Sequence, residues 1–504
     1  MERRSNKADK FKYLQPVDRA AIALMLVLIV LIGLLIWNGD RTAPRVRNFS
    51  WQNQQVGAED TSFTLNFNRP MDHASVEANL QIDPLLPGKF SWAGRRMAYT
   101  LTAPVFYGTN YKVQLQGAKD KSKTESGKEN EKLIDPFYGQ FSTRDRAFVY
   151  IGVEPQEKGR LILYNVTQQK KTVLTPADMA VNDFKIYPEG RKILFSAADW
   201  LSQKPGVFEQ QLYTVTTGIN PLSPGKPETK PEAAGKINLV LDSKNFQNMK
   251  FDLSPDGQAI IVQRVNRNKP GEFGLWVIKP GAPPQPLENQ PGGDFLITAD
   301  SGAVAVAQGQ GIAILPMTPK AKPLDFLAQY AKVFSFSKDG ASAAMLKFNT
   351  NYTRSLFLVT NQGVQKELFK TTGSILDAQF DPRSDTLYCL ITRLQKGEQD
   401  QDQEQPLLAT VDLKKAKMTP ILALPNQRDI QMSLSQDGLA LLFDQLVTEK
   451  KLPKTGALTT NDGQAIVNSL LWLLPITPPT EGSKTQQQQP QQLPLPGFRP
   501  SWLP

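Results

Sequence analysis

The sequence predicts an all-β protein behind one N-terminal transmembrane α-helix: a β-sandwich first, then a β-propeller of six or seven blades. Three observations predict it. Ala20–Trp37 is an unbroken apolar run. From 46 to 144, short alternating strands are separated by turn signals. From 146 to 476, a degenerate unit of strand, Asp-Gly turn and second strand recurs with a period of about 40–50 residues.

The apolar run, AAIALMLVLIVLIGLLIW, carries no charge over 18 residues. As a helix it spans roughly 27 Å, close to the hydrocarbon thickness of a bilayer, and satisfies its backbone internally as lipid demands. Residues 1–19 carry Arg3, Arg4, Lys7, Lys10, Lys12 and Arg19 against Glu2, Asp9 and Asp18. That basic tail is expected in the cytoplasm, which puts the bulk of the chain in the periplasm or another extracytoplasmic space. A cleaved signal peptide is the competing reading, but Trp37-Asn38-Gly39-Asp40-Arg41 offers no small-residue cleavage site. Gly33 stands alone, so no G-x-x-x-G pattern supports pairing of helices.

Composition narrows the chemistry. With 504 residues the chain is too long for one domain of ordinary size, and two or three units are expected. One Cys excludes a disulfide framework and any multi-Cys metal site, and one His excludes His clusters. Cys389 lies in the alternating run TLYCLIT and reads as a core residue. The net charge of +10 comes partly from the inner tail. The remainder could favour an anionic membrane surface or wall polymer; nucleic acid is not an expected partner outside the membrane.

In the segment 46–144, Phe63, Leu65 and Phe67 alternate with polar residues, as do Met97, Tyr99 and Leu101, and Tyr111, Val113 and Leu115. Asn68-Arg69-Pro70, Pro87-Gly88 and Tyr107-Gly108-Thr109 break the strands. The stretch Lys119–Lys132 reads as a solvated hairpin tip, His73 as a solvated turn residue, and Arg95 and Arg96 beside Trp92 as a solvated face. Three features together, Pro70-Met71-Asp72, the entry Val105–Val113 with Tyr107-Gly108-Thr109, and Phe141-x-Thr143, make the segment resemble the S-layer-type (SbsA-like) bacterial Ig-like domain. The resemblance implies an Ig-like β-sandwich with a spacing, adhesion or interaction role and no catalysis.

The repeat is clearest in NDFKIYPEGRKILFSA from Asn182, NMKFDLSPDGQAIIVQRV from Asn248 and AKVFSFSKDGASAAMLKF from Ala331. Weaker copies start at Gly292, Leu376 and Ile430. Gly190, Gly257, Gly302, Gly340 and Gly438 mark the turns, where a tight hairpin needs positive φ. Arg146–Thr175 supplies three further strands and looks like a blade lacking its inner strand. That gives seven blades, or six if the chain ends share one. Ser254-Pro255-Asp256-Gly257 most closely resembles the turns of TolB-like, WD40-related propellers.

Asp256, Asp339 and Asp437 recur at the turns without the D-x-D-x-D spacing of a calcium loop. No G-x-S-x-G, P-loop or H-E-x-x-H pattern occurs. No catalytic residue, metal ligand or cofactor is therefore assigned, and the binding residues stay unassigned. Asn220–Ala234 reads as a solvated loop, Lys396–Gln405 as an extended hairpin tip, and 477–504, rich in Pro and Gln, as a disordered or extended tail whose Leu493, Leu495, Phe498, Trp502 and Leu503 either dock on a partner or pack back on the propeller. The expected function is a membrane-anchored extracytoplasmic scaffold. It meets lipid through the helix and envelope or membrane proteins at the propeller. A tether to wall or S-layer glycan is the alternative, and a carboxylate-dependent glycan hydrolase or lyase a third.

Overall fold

The computed structural model describes residues 16–37, 43–121, 132–200, 210–220, 232–287, 292–318, 324–396, 402–425, 427, 429–449, 457–460, 463–476 and 489–504. The basic tail up to residue 15, most of the charged 119–132 loop, most of the insert at 220–234 and residues 397–401 of the insert at 396–405 lie outside the described residues; on either side of 397–401 the chain is a hairpin, with Lys396 paired to Asp402.

Helix α1 spans Pro16–Trp37 and contains the expected apolar run. Its described side chains, Val17 and Ala20–Gly33, are all exposed. They stop short of the far end of the run, and among the described residues no helix is long and apolar enough to cross a membrane.

The next unit is a sandwich of two four-stranded sheets. One has the order β1 (Val46–Phe49), β3 (Ser62–Phe67), β6 (Arg96–Leu101), β5 (Gly88–Ala93). The other has the order β2 (Gln55–Val56), β8 (Phe137–Thr143), β7 (Asn110–Leu115), β4 (Leu80–Asp83). The alternation read from the sequence is the inward face: Phe63, Leu65, Met97, Tyr111, Val113 and Leu115 are buried between the sheets. The Pro-Met-Asp turn has a physical purpose. Met71 is fully buried, and Asp72 caps the short helix α2 (His73–Asn79) by accepting from the Ser75 N–H at 2.7 Å. His73 starts that helix and stacks on Trp92 with ring centroids 4.1 Å apart, so the Trp92 face is taken by an imidazole rather than by a guanidinium.

Seven four-stranded antiparallel sheets follow and form a propeller. The inner strands of blades 2 to 7 are Met179–Ile186, Phe246–Leu253, Phe295–Ile297, Lys332–Phe336, Ile375–Phe380 and Met432–Leu434. Blade 1 has Ala147–Gly152, Leu161–Asn165 and Lys170–Val173, and its inner strand is Gly497–Trp502. This corrects the expected disordered tail. The two chain ends share a blade and the count is still seven. The reason is burial: Leu495, Phe498, Trp502 and Leu503 are each at most 6% exposed, and Trp502 meets Phe148 edge to face at 5.5 Å. The propeller therefore extends past residue 476. Residues 477–488 of the expected tail lie outside the described residues.

Cys389 is fully buried in the second strand of blade 6, and burial pushes its thiol pKa upward.

Candidate functional site

Six turns join an inner strand to its neighbour, all at one face of the propeller. Each closes with a backbone bond from its fourth residue to its first: Gly190 to Tyr187, Gly257 to Ser254, Ser301 to Thr298, Gly340 to Ser337, Ser384 to Asp381 and Gly438 to Ser435, all at 2.8 or 2.9 Å. The fourth residue has positive φ, between 57° and 71°. In blade 4 that residue is Ser301 and not Gly302, and in blade 6 it is Ser384. Within the turns, Asp256 and Asp339 accept from the hydroxyls of Ser254 and Ser337, each at 2.6 Å, so these carboxylates hold their own hairpins together.

Inner strands are bulged. The pairing slips between Val181 and Asp183, Asn248 and Phe251, Val333 and Ser335, Ile375 and Asp377, and Phe498 and Ser501. A bulge re-aims the side chains beside it, here across to the adjacent blade. The polar residues of these strands form a closed ring of contacts from blade to blade. Lys185 of blade 2 pairs with Asp252 of blade 3 at 3.2 Å, and Asp252 accepts from the Ile297 N–H of blade 4 at 3.0 Å. Asp294 of blade 4 pairs with Lys250 behind it and with Lys332 of blade 5 ahead, the latter at 3.0 Å. Ser335 donates to the Ala378 carbonyl of blade 6 at 2.6 Å, and the Gln379 amide donates to the Met432 carbonyl of blade 7 at 2.9 Å. Ser433 accepts from the Trp502 N–H at 3.1 Å, and Arg499 donates to the Asn182 carbonyl at 2.6 Å, returning to blade 2.

Crowding around the axis shows in the acid–base balance. Burial, then the neighbouring charges of Lys185 and Lys332, lowers the Lys250 pKa to about 8. Burial raises the Asp377 pKa, against hydrogen bonds from Gln379 and the Ala378 N–H. Burial raises the Asp444 pKa to about 7, although both carboxylate oxygens accept backbone N–H groups, from Gln431 at 2.7 Å and Arg499 at 2.8 Å. Among the described residues no group of three or more His, Cys, Asp or Glu side chains could hold a metal ion.

At the turn face the ring opens into a cavity of about 1340 Å³. Its floor and walls include Tyr187, Phe336, Phe380 and Trp502, with Pro188, Pro255 and Pro382 from the turns. The sandwich forms part of its wall through Ala58, Glu59, Tyr107 and Arg144. Only Asp145 and Arg146 stand between Arg144 and the first propeller strand, and these residues lock the two units. Arg144 pairs with Glu59 inside the sandwich, whereas the linker residue Arg146 pairs across with Asp437 of the blade 7 turn. The Tyr107 N–H also points to Asp437, at 3.4 Å. Asp437 is 2% exposed because the sandwich covers it. One of the turn aspartates considered for calcium thus serves as an interdomain latch.

Residues 40–143 match the family described as bacterial Ig-like domain. The chain joins such a domain to a propeller. Among solved structures it is similar to TolB from Acinetobacter baumannii, at 11% identity over 84% of this chain and 83% of that one, with a TM-score of 0.38. It is also similar to the periplasmic gluconolactonase PpgL of Pseudomonas aeruginosa, at 10% identity over 71% of this chain and 99% of that one, with a TM-score of 0.43. No curated protein sequence matches the chain.

Sequence reasoning assigned no site residues. The ring had a readable signal, because Lys185, Asp252, Ser335, Gln379 and Ser433 are all polar and all lie two positions before the first turn residue. The latch had none, since nothing local separates Asp437 from Asp256 or Asp339.

Proposed function

We propose that this protein is a membrane-anchored extracytoplasmic scaffold that binds envelope proteins non-covalently in the turn-face cavity. In this reading α1 crosses the membrane with residues 1–19 in the cytoplasm, and the Ig-like domain spaces and orients the propeller. The observation that carries it is the ring: the axial side chains are committed to their neighbours in adjoining blades. That leaves the cavity between the two units as the recessed surface for a partner. At about 1340 Å³ it is larger than the roughly 300–1,000 Å³ of a small-molecule pocket, and its aromatic and proline lining suits an inserted polypeptide segment.

The test is crosslinking and co-purification of the full chain from gently solubilised membranes, beside a Lys338→Glu, Gln436→Glu variant. Both residues are exposed on the cavity rim, so the fold is expected to survive. Stoichiometric recovery of a membrane or envelope protein, reduced in the variant, supports the scaffold. Recovery unaffected by the variant removes the cavity from the proposal. Binding to isolated wall polymer without a protein partner favours the glycan tether.

A further inference from the structure

The Ig-like domain has two poles. At one, β8 passes through Arg144–Arg146 into the propeller. At the other, the chain arrives from α1, and the eight residues 38–45 can reach at most about 28 Å. The arrival pole is firmly built. The Asn68 side chain accepts from the Arg45 N–H at 2.9 Å and donates to the Ala43 carbonyl at 3.1 Å, while the Asp135 N–H donates to the Pro44 carbonyl at 2.8 Å. The entering strand cannot swing away without losing these bonds.

Four exposed arginines gather at this pole: Arg45 and Arg47 on the entering strand, and Arg95 and Arg96 at the β5–β6 turn. The register places them together, because Val46 pairs with Phe67, Asn66 pairs with Arg96, and the Phe67 N–H donates to the Arg95 carbonyl. Arg47 sits at the slip between Val46 and Asn48, where a bulge turns a residue out of the ladder. Among the described residues none of the four forms an ion pair, though Arg95 also donates to the Asn68 carbonyl at 3.1 Å. The turn residue Gly94 faces open space. Among the described residues the carboxylates at this pole are Asp72, Glu77, Asp120 and Asp135. Three of them are engaged: Asp72 caps α2, Glu77 accepts from the Trp92 indole N–H, and Asp120 pairs with Arg69.

We infer that this pole is a docking surface for anionic lipid headgroups, so that the domain rests on the bilayer instead of hanging from it. Two independent observations meet here: guanidinium groups suited to bidentate phosphate contacts, and a chain path that brings them within a short tether of α1. The inference rests on the proposed membrane anchor. Its consequence is orientational, since a docked pole fixes the propeller's height and tilt above the membrane.

The test uses the full chain in phosphatidylcholine vesicles with and without phosphatidylglycerol. Cys389 is buried, so a thiol dye on an Ala93→Cys variant reports the pole alone. Energy transfer from that dye to a headgroup-labelled lipid is expected to rise with phosphatidylglycerol and fall with salt. Arg95→Gln and Arg96→Gln should each lower the docked-to-undocked ratio by about fivefold. Flotation of the same vesicles separates the two readings. A chain that floats with both lipids, with transfer indifferent to lipid, salt and the arginines, keeps the anchor and overturns the docking surface. A chain that floats only with phosphatidylglycerol overturns the anchor and keeps the docking surface.

Discussion

Replacing Trp502 tests how the propeller closes. Its ring is 5% exposed and meets Phe148 at 5.5 Å, with the Arg146 guanidinium 5.9 Å from its centroid. Removing a buried aromatic of this size costs about 3–5 kcal/mol, a large part of the roughly 5–15 kcal/mol that holds a typical domain folded. Trp502→Phe should cost much less. Among the described residues the buried indole N–H has no hydrogen-bond partner, and removing such a group returns about 1 kcal/mol against the lost volume. Urea titration read by the reactivity of Cys389 makes the measurement, because that thiol lies in blade 6, far along the chain from the closing strand. The expected order of midpoints is wild type, then Phe close below, then Ala far below. Equal midpoints for wild type and Trp502→Ala would refute closure by this strand, as would a chain lacking 497–504 that protects Cys389 as well as the intact one.

Three other expectations follow from the same contacts. Asp437→Ala leaves Arg146 without its carboxylate at a largely buried site and should cost about 3–5 kcal/mol, seen as faster proteolysis around residues 144–146. Asp444 has a folded pKa of about 7, above its ordinary value, so the folded state holds its proton more tightly. Its contribution is complete below about pH 4 and declines as pH rises towards 7, by on the order of 4 kcal/mol at most. Asp444→Asn should flatten that slope in denaturation curves taken across this range. Ser384→Gly should stabilise by about 0.5 kcal/mol in thermal melts, as left-handed strain of roughly 1–2 kcal/mol is relieved against an entropic cost of about 0.5–1.

Glycine made most of the turns legible. Gly190, Gly257, Gly340 and Gly438 stand at positive φ, and their Asp-Gly-type signatures located the blades. Ser301 and Ser384 occupy the same conformation without a composition signal, so the sequence places the blade 4 turn at Gly302, one residue late. The closing strand is hidden in the sequence for a clearer reason. Pro500 lies inside Gly497–Trp502, and proline ordinarily argues against an inner strand. Here it falls within the slip between Phe498 and Ser501, beside Arg499 at φ 53°, where no ladder bond is required of it. The cavity was invisible from sequence because its wall combines Glu59 and Tyr107 with turns some hundreds of residues away. The sandwich was nearly all legible, because its buried face follows period-two alternation and its motifs are local.

The strand at Gly497–Trp502 also sets an order of events in time. Trp502 pairs with Phe148, so blade 1 is begun first and finished last. While the chain is being made, blades 2 to 6 can fold behind a first blade whose inner edge is bare. Phe148 and Tyr150, fully buried in the finished molecule, stay open to water or to a chaperone until residue 502 arrives. The ring, and with it the cavity that Trp502 lines, closes only in chains that have been synthesised through that residue. Any product stalled before it would present an unpaired edge, a form that quality control can recognise and remove.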